Sequence, residues 1–458
     1  MAQKSYLFQS VIAENQPFVL GGRGIYLTVE DPVTHEVREI IDGNTSASVG
    51  SLGHGDPDIV QAMKDAAEEC AYSFPLTTEN HNAEDLAQFI VTHSPKDTFA
   101  AAVFVGSGSE ANENMLRLVY QYHIENGQPQ RSRFISRNQS YHGFTIGSIS
   151  IADSNRFYNY KPVSLPAEQC LKVSECYEYQ KRKPDESLEQ YKDRLVKEVE
   201  DTFISAGPDT IGAFICETVS GSSLGCATPV PGYLEGIRDI CHKYGALFVL
   251  DEVMCGMGRA GTYHAWEQFL PLNKGPDIQT IGKTLGSGYV TIAGVLVSPA
   301  VRDVFVNGSG VMPSAHTYQS HSFNCKVTLA VQKKIFENNL IENSKKMGDY
   351  LNASLKEKLK DSKIIGDIRG VGTFQGVELI KDKATKEPFD PKLNLGHRLA
   401  DICYKDGMQI LGLDGTVDGK KGDHMMFSPA YTVTKEEIDK IVSVFVQACD
   451  ELEKELGL

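Results

Sequence analysis

The chain has 458 residues, with 45 basic against 60 acidic side chains and a formal charge of −15. That length holds one large core and a second, smaller one. The acidic balance excludes a general affinity for nucleic acid or an anionic membrane, so any bound anion must be held by a local site.

No run approaches the roughly 20 apolar residues of a membrane span, and the opening "MAQKSYLFQS" lacks an apolar leader core. Ten cysteines without a CxxC pair read as reduced thiols. A soluble, cytoplasmic enzyme is the expectation.

Along the chain, short β-rich runs alternate with helical patterns. "AAVFV" (101–105) precedes "GSGSEANENMLRLVYQYH", where a helix is predicted to begin near Ser109. "RFIS" precedes the loop "NQSYHG". The charged stretch 179–203 carries Leu188, Tyr191, Leu195 and Val199 at helical spacing, which predicts a surface amphipathic helix. "IGAFICETV" (211–219) leads into "GYLEGIRDICHKYG", whose Ile237, Ile240 and Cys241 share a face. Then come "ALFVLDEV" (246–253), "DIQTIG" (277–282) and "AGVLVS" (293–298).

Strands this apolar on both faces, separated by helices, predict an α/β fold with a mainly parallel sheet covered by helices. From about 325 the pattern turns to long helices and a few short strands such as "GTFQGVELI". The last helix opens on "TKEE", with Thr434 as cap and Glu437 reaching back. Its stripe is Ile438, Ile441, Val442, Phe445 and Ala448. The expected division is a large domain over 51–324 and a smaller α+β domain built from both ends, 1–50 and 325–458.

Two motifs fail on context. "GMGRAG" (256–261) fits a dinucleotide fingerprint, but "TYHAWEQ" follows where a helix should open, and Asp251-Glu252 would repel a pyrophosphate. "GSSLG" (221–225) fits a nucleophile elbow around Ser223, yet the prolines of "CATPVPG" prevent an immediate helix.

The better anion site is "VFVGSGSEANENM". A strand ends, small residues allow close approach, and a helix opens with free N–H groups and its positive end aimed at one point. "LFVLDEV" ends a buried strand on two acids, and in open α/β sheets ligands bind at the carboxyl ends of strands. Asp251 there suits a cationic ring nitrogen. Downstream, "PDIQTIGKTLGSGY" sets Lys283 among isoleucines and glycines. Two readings compete: a lysine snorkelling at a strand end, or an amine kept partly dry to lower its pKa. With the aromatic turn "SYHG", these features together describe a pyridoxal phosphate site. The cradle takes the phosphate, Tyr141 covers the ring, Asp251 pairs with the pyridinium and Lys283 forms the Schiff base.

At these residues the chain resembles the class III pyridoxal-phosphate-dependent aminotransferases, the ω-aminotransferase group of fold type I, over roughly 18–450. The likeness rests on "DGNTSASVGSLGHGDP", "GSGSEANE", "YHG", "ICETV", "LFVLDEVMCGMGRAGTYHAWEQ", "PDIQTIGKTLGSGY", "HTYQSH" and "IRGVGTFQGVEL". The resemblance implies roles. Ser107, Gly108 and Ser109 match the phosphate turn, and Tyr141 with His142 the ring-covering motif. Glu217 matches the active-site glutamate and Asp251 the pyridinium partner. Val253 matches the residue on the ring's other face, Lys283 the Schiff-base lysine, and Thr317 the residue reaching a neighbouring subunit's phosphate. A homodimer with shared sites, and ping-pong transamination between an amine or ω-amino acid and a keto acid or aldehyde, are implied in the same way.

The chain also departs from the pattern. Where many ω-aminotransferases carry a carboxylate-binding arginine, this sequence has Lys421, a point charge in place of a bidentate fork. Ser48 stands where several amine–pyruvate enzymes have a bulky Trp, which implies a roomier pocket. Tyr72 and Phe74 are candidates to line that pocket from the partner subunit, and Arg369 in "RGVG" to mark the substrate side. The same site supports racemase, decarboxylase, aminomutase or phospholyase chemistry, and a non-catalytic sensor is a further reading.

Overall fold

The computed structural model describes Tyr6, Phe8, 16–313 and 315–458. Apart from Tyr6 and Phe8, the opening stretch read above for a leader lies outside these residues, as do most of the first fifteen residues of the 1–50 segment. Among the described residues no helix is long and apolar enough to cross a membrane.

The apolar runs become a seven-stranded sheet. Its order is Ala101–Val105, Ala293–Val297, Ile278–Ile281, Leu247–Glu252, Ile211–Glu217, Arg133–Arg137 and Cys170–Val173. The last five are parallel to one another. Ala293–Val297 runs antiparallel to both of its neighbours, a reversal that an apolar run does not reveal. Every residue of Ile211–Glu217, Leu247–Glu252 and Ile278–Ile281 is buried, as expected of strands covered on both faces. Alternate side chains serve the two covers. Phe214 and Cys216 pack with Tyr191, Leu195 and Ile237 on one side. Ala213 and Ile215 pack with Met115 and Val119 on the other.

The helices begin and end for local reasons. Ser107 caps Gly108–Glu125 by accepting the Glu110 N–H at 3.3 Å. Leu188–Ala206 buries Tyr191, Leu195, Val199 and Phe203, whereas Leu188 stays 38% exposed, so the amphipathic stripe starts one turn later than its spacing suggested. Lys435–Glu455 opens with the expected Thr434–Glu437 capping box and buries its whole apolar stripe.

The two ends of the chain share a sheet. Phe18–Arg23, Tyr26–Glu30 and Val37–Asp42 continue into Met408–Gln409, where Met408 pairs in parallel with Ile41. A third, antiparallel sheet comprises Ile365–Val371, Phe374–Leu379, Asp423–Phe427 and Leu411–Asp414. Helices Leu340–Lys358, Leu395–Lys405 and Lys435–Glu455 contribute Leu351, Leu399 and Phe445 to the core on it. This sheet leans on the large one through the GSSLG turn: a Cβ at Gly376 would lie 2.1 Å from the Gly225 carbonyl oxygen.

Gly376→Ala therefore forces two backbones apart, at a cost of about 1–3 kcal/mol. Denaturant unfolding should show a lower midpoint with an unchanged slope. An unaltered midpoint would show that the turn yields freely.

Candidate active site

The parallel register assembles the acids. Glu217 lies opposite Asp251, and Asp251 opposite Thr280, at the carboxyl ends of their strands. Past Ile278–Ile281 and Gly282, Lys283 takes a φ of 48°. The left-handed region strains a non-glycine residue by about 1–3 kcal/mol, and such strain concentrates at functional positions. The turn tips the amine into the cleft, where Nζ donates to the Ala47 carbonyl at 3.0 Å.

One cleft is lined by Gly108, Ser109, Asn112, Tyr141, His142, Glu217, Asp251, Val253 and Lys283, with Val219, Met254 and Cys255 behind. Asp251 is its electrostatic centre. Oδ2 accepts Asn112 Nδ2 at 2.8 Å and meets His142 Nδ1 at 2.8 Å, and Oδ1 accepts the Val253 N–H at 3.0 Å. Burial raises the pKa of this carboxyl, but the bond and charge of His142, with the Val253 and Asn112 bonds, outweigh it and hold the group below the ordinary carboxylate value. Nδ1 of His142 then carries a proton toward the carboxylate, and among the described residues its buried Nε2 has no partner.

Burial pushes the Lys283 amine down to about 8, against the opposing pull of Asp251 and Glu217. The same burial raises the Glu217 carboxyl, which accepts the Ser220 hydroxyl at 3.1 Å and the Tyr141 N–H at 3.3 Å.

The cradle is a helix N-terminus. The N–H groups of Gly108 and Ser109 precede the first intrahelical bonds and are left free, while Ser107 spends its hydroxyl on the cap. Gly108 admits no side chain, because a Cβ there would lie 2.7 Å from Val253 Cγ1. Ser109 Oγ accepts the Phe144 N–H at 2.9 Å, which ties the cradle to the SYHG turn. Tyr141 stacks on Phe157, ring centroids 5.5 Å apart.

This donor set fits pyridoxal phosphate: free N–H groups for a phosphate, an ionised acid for a pyridinium, and a partly dry amine for the aldehyde. Among the described residues no His, Cys, Asp and Glu cluster could hold a metal.

Several expectations need correction. Arg369 is not among the residues that line the cleft. It is locked in ion pairs with Asp367 at 2.8 Å and Glu378 at 2.7 Å, and it donates to the Leu224 carbonyl, so it braces the GSSLG turn. Lys421 is exposed on the turn before Asp423–Phe427 and borders a groove with Phe389 and Leu456 that shares no residue with the cleft. Ser48 is wholly buried, and its hydroxyl pairs with Ser428 at 2.7 Å; its φ of 64° turns the side chain from the cleft, and Ala47 presents its carbonyl there instead. Ser107 stands behind the cleft as the cap.

Tyr72, Phe74 and Thr317 also lie outside this chain's own cleft. All three are exposed, and the Tyr72 hydroxyl donates to the Thr317 carbonyl at 2.9 Å. No α-helix opens directly after either GMGRAG or GSSLG: the first is followed by bends and the short 3-10 helix Ala265–Gln268, the second by irregular chain up to Tyr233.

Asn112 was missed by the sequence reading. Its three-residue spacing from Ser109 on one helix face was the available signal. Ala47 acts through its backbone, and no side-chain pattern marks it.

The sequence profile of the aminotransferase class-III family matches residues 16–449. An uncharacterized aminotransferase of Schizosaccharomyces pombe is 40% identical over 445 residues, covering 96% of this chain and 94% of that one. Gamma aminobutyrate transaminase 3 of Solanum lycopersicum is 33% identical, covering 91% and 78%. The crystal structure of the omega transaminase from Pseudomonas jessenii in complex with PMP superposes with a TM-score of 0.89 at 27% identity, over 98% of this chain and 97% of that one. A strand-end acid, a left-handed lysine and a helix-capped cradle thus meet in one cleft, on a chain matched nearly end to end: it belongs to the class III aminotransferases.

Proposed function

We propose that this transaminase binds pyridoxal phosphate in the Lys283 cleft and moves an amino group from an amine or ω-amino acid to a keto acid or aldehyde, in two half-reactions at one site. The observation that carries the reading is the Asp251 carboxylate, held ionised by His142, Asn112 and the Val253 N–H in the same cleft as an amine whose pKa lies near 8.

Bound there, pyridoxal phosphate supplies the electron sink that acidifies the carbon bearing the transferred nitrogen. The chain supplies the rest. Gly108 and Ser109 N–H groups and the helix dipole hold the phosphate. Asp251 keeps a ring nitrogen protonated, because its own proton affinity is depressed. Lys283 Nζ, partly neutral near pH 8, takes and returns a proton without a large energy gap. The Ala47 carbonyl holds that amine when it is free. Tyr141 and Val253 flank the space and exclude water.

Thr317 and Tyr72 form an exposed cluster with Tyr318, the Tyr72 and Tyr318 rings 5.9 Å apart, and Phe74 is exposed two residues on. We infer that it faces the cleft of a second subunit in a homodimer. Ten free thiols, nine of them buried, suit a reducing compartment such as the cytoplasm.

The first test is the visible spectrum of the purified protein with and without a panel of amines. The wild type should carry a cofactor band that an amine donor bleaches. Lys283→Ala should lose amine-dependent turnover, and Asp251→Asn should lower it about 10²–10³-fold, the scale of losing one preorganised electrostatic group. A band that no amine converts would point to racemase, lyase or sensor chemistry.

The amine's position gives a second expectation. Only the neutral form condenses with an aldehyde, and burial moves its titration from the ordinary lysine range down to about 8. Reloading of the apoprotein with pyridoxal phosphate should accelerate as pH rises through about 8 and then level off. A rate still climbing through pH 10 would show that Lys283 is an ordinary lysine.

A further inference from the structure

With Lys421 and Arg369 removed as carboxylate receptors, the charge felt at Lys283 indicates what replaces them. Two arginines, Arg156 and Arg259, act on its amine, each lowering its pKa. Arg259 is sealed: it is wholly buried and donates to Thr373 Oγ1, Thr45 Oγ1 and the Pro429 carbonyl. Arg156 differs. It follows Ser154, whose hydroxyl caps the short helix Asn155–Val163, and it is exposed. Its guanidinium lies 5.5 Å from the ring centroid of Tyr141, a wall of the cleft. Among the described residues it meets no carboxylate.

Arg156 also lines a small polar pocket with Gln139, Asn155, Ser222, Ser223 and Asp414. Two acids, Asp153 and Asp414, also line it; each is bonded to a neutral amide of the chain, and Arg156 pairs with neither. Asp414 Oδ1 accepts Asn155 Nδ2 at 3.1 Å, and Asp153 Oδ2 accepts the Gln139 N–H at 3.2 Å. Gln139 spends both amide protons on the Gly415 and Thr416 carbonyls, each at 3.0 Å. Its side-chain oxygen is buried without a partner among the described residues. Arg156 is the one cation lining this pocket, and the Ser222 and Ser223 hydroxyls and the Gln139 oxygen are the other groups left uncommitted among the described residues; a guanidinium that meets no carboxylate is the complement of an anion.

We propose that Arg156 is the carboxylate receptor of this transaminase: the acid end of an amino or oxo acid seats on its guanidinium, with the Ser222 and Ser223 hydroxyls alongside, while the reacting end lies at Lys283. The proposal rests on the transamination reading and names its substrate class, a substrate with a carboxylate apart from the reacting carbon. It gives the rejected GSSLG motif a role as a hydroxyl-bearing turn, braced from behind by Arg369. A planar fork at this place recognises a carboxylate with two parallel bonds, which a lysine cannot do.

The test compares two acceptors of equal length on the holoenzyme, 4-oxobutanoate and butanal, with one amine donor. Arg156→Gln should reduce the preference for 4-oxobutanoate, expressed as the ratio of kcat/KM values, about 10- to 100-fold, the scale of a charged hydrogen-bonded pair. Arg156→Lys should retain part of it. Calorimetric binding of butyrate, which cannot react, should weaken in parallel. A preference and a butyrate affinity unchanged in Arg156→Gln would overturn the assignment while leaving transamination intact. Were neither acceptor aminated by the wild type, the reaction reading would fail instead, and butyrate binding to wild type and Arg156→Gln would decide Arg156 alone.

Discussion

A single carboxylate must stay charged where burial favours its neutral form, and much of the architecture serves that requirement. Asp251 is 5% exposed. Its three hydrogen-bond donors come from a helix, from the SYHG turn and from the end of its own strand. Each must be held to within a few tenths of an ångström, because a charged bond weakens quickly with distance and angle. The parallel register, the Ser107 cap and the tie between Ser109 and the SYHG turn do that holding.

The same dry surroundings act on Lys283, Glu217 and Asp251, with opposite visible results. Burial favours neutral forms, so the Lys283 amine falls and the Glu217 carboxyl rises. Asp251 alone goes the other way, because only it has enough strong donors. The neighbouring Glu252 shows the balance from the other side. It accepts bonds from Thr218, Gln279 and the Ala265 and Trp266 N–H groups, yet burial still drives it up to about 7. It has no charged donor, and its bonds join the strand end to the following turns. Two adjacent acids on one strand therefore divide the work, one charged toward the cleft and one bracing behind it.

Backbone strain is concentrated around the amine. Lys283 has a positive φ, and so do Thr45, Ser46 and Ser48 on the segment that meets it. That segment is held by the Ser428 hydroxyl, which bonds both Asn44 and Ser48. Strain persists only where its surroundings overdetermine it, and here a buried network of hydroxyls and amides from two distant parts of the chain does so. The result is a carbonyl fixed at the position a free lysine amine requires.

Much of this was legible in the residues alone. Doubly apolar strands, the Thr434 cap, the acid at a strand's carboxyl end and the isolated Lys283 all follow from patterns a few residues long, because burial and capping are local demands on side-chain type. What tertiary structure decided is which polar group is already taken. Arg369, Lys421 and Arg156 are equally plausible cations on paper. Their difference lies in partners far away in the chain: Glu378 and Leu224 occupy the first, a surface turn removes the second, and among the described residues the third meets the Tyr141 ring but no carboxylate. The direction of Ser48 likewise turned on one sign of φ, and the reversed strand Ala293–Val297 on which edge was free to pair. Composition and period record whether a residue is buried, but the pairing of polar groups depends on which distant segments meet.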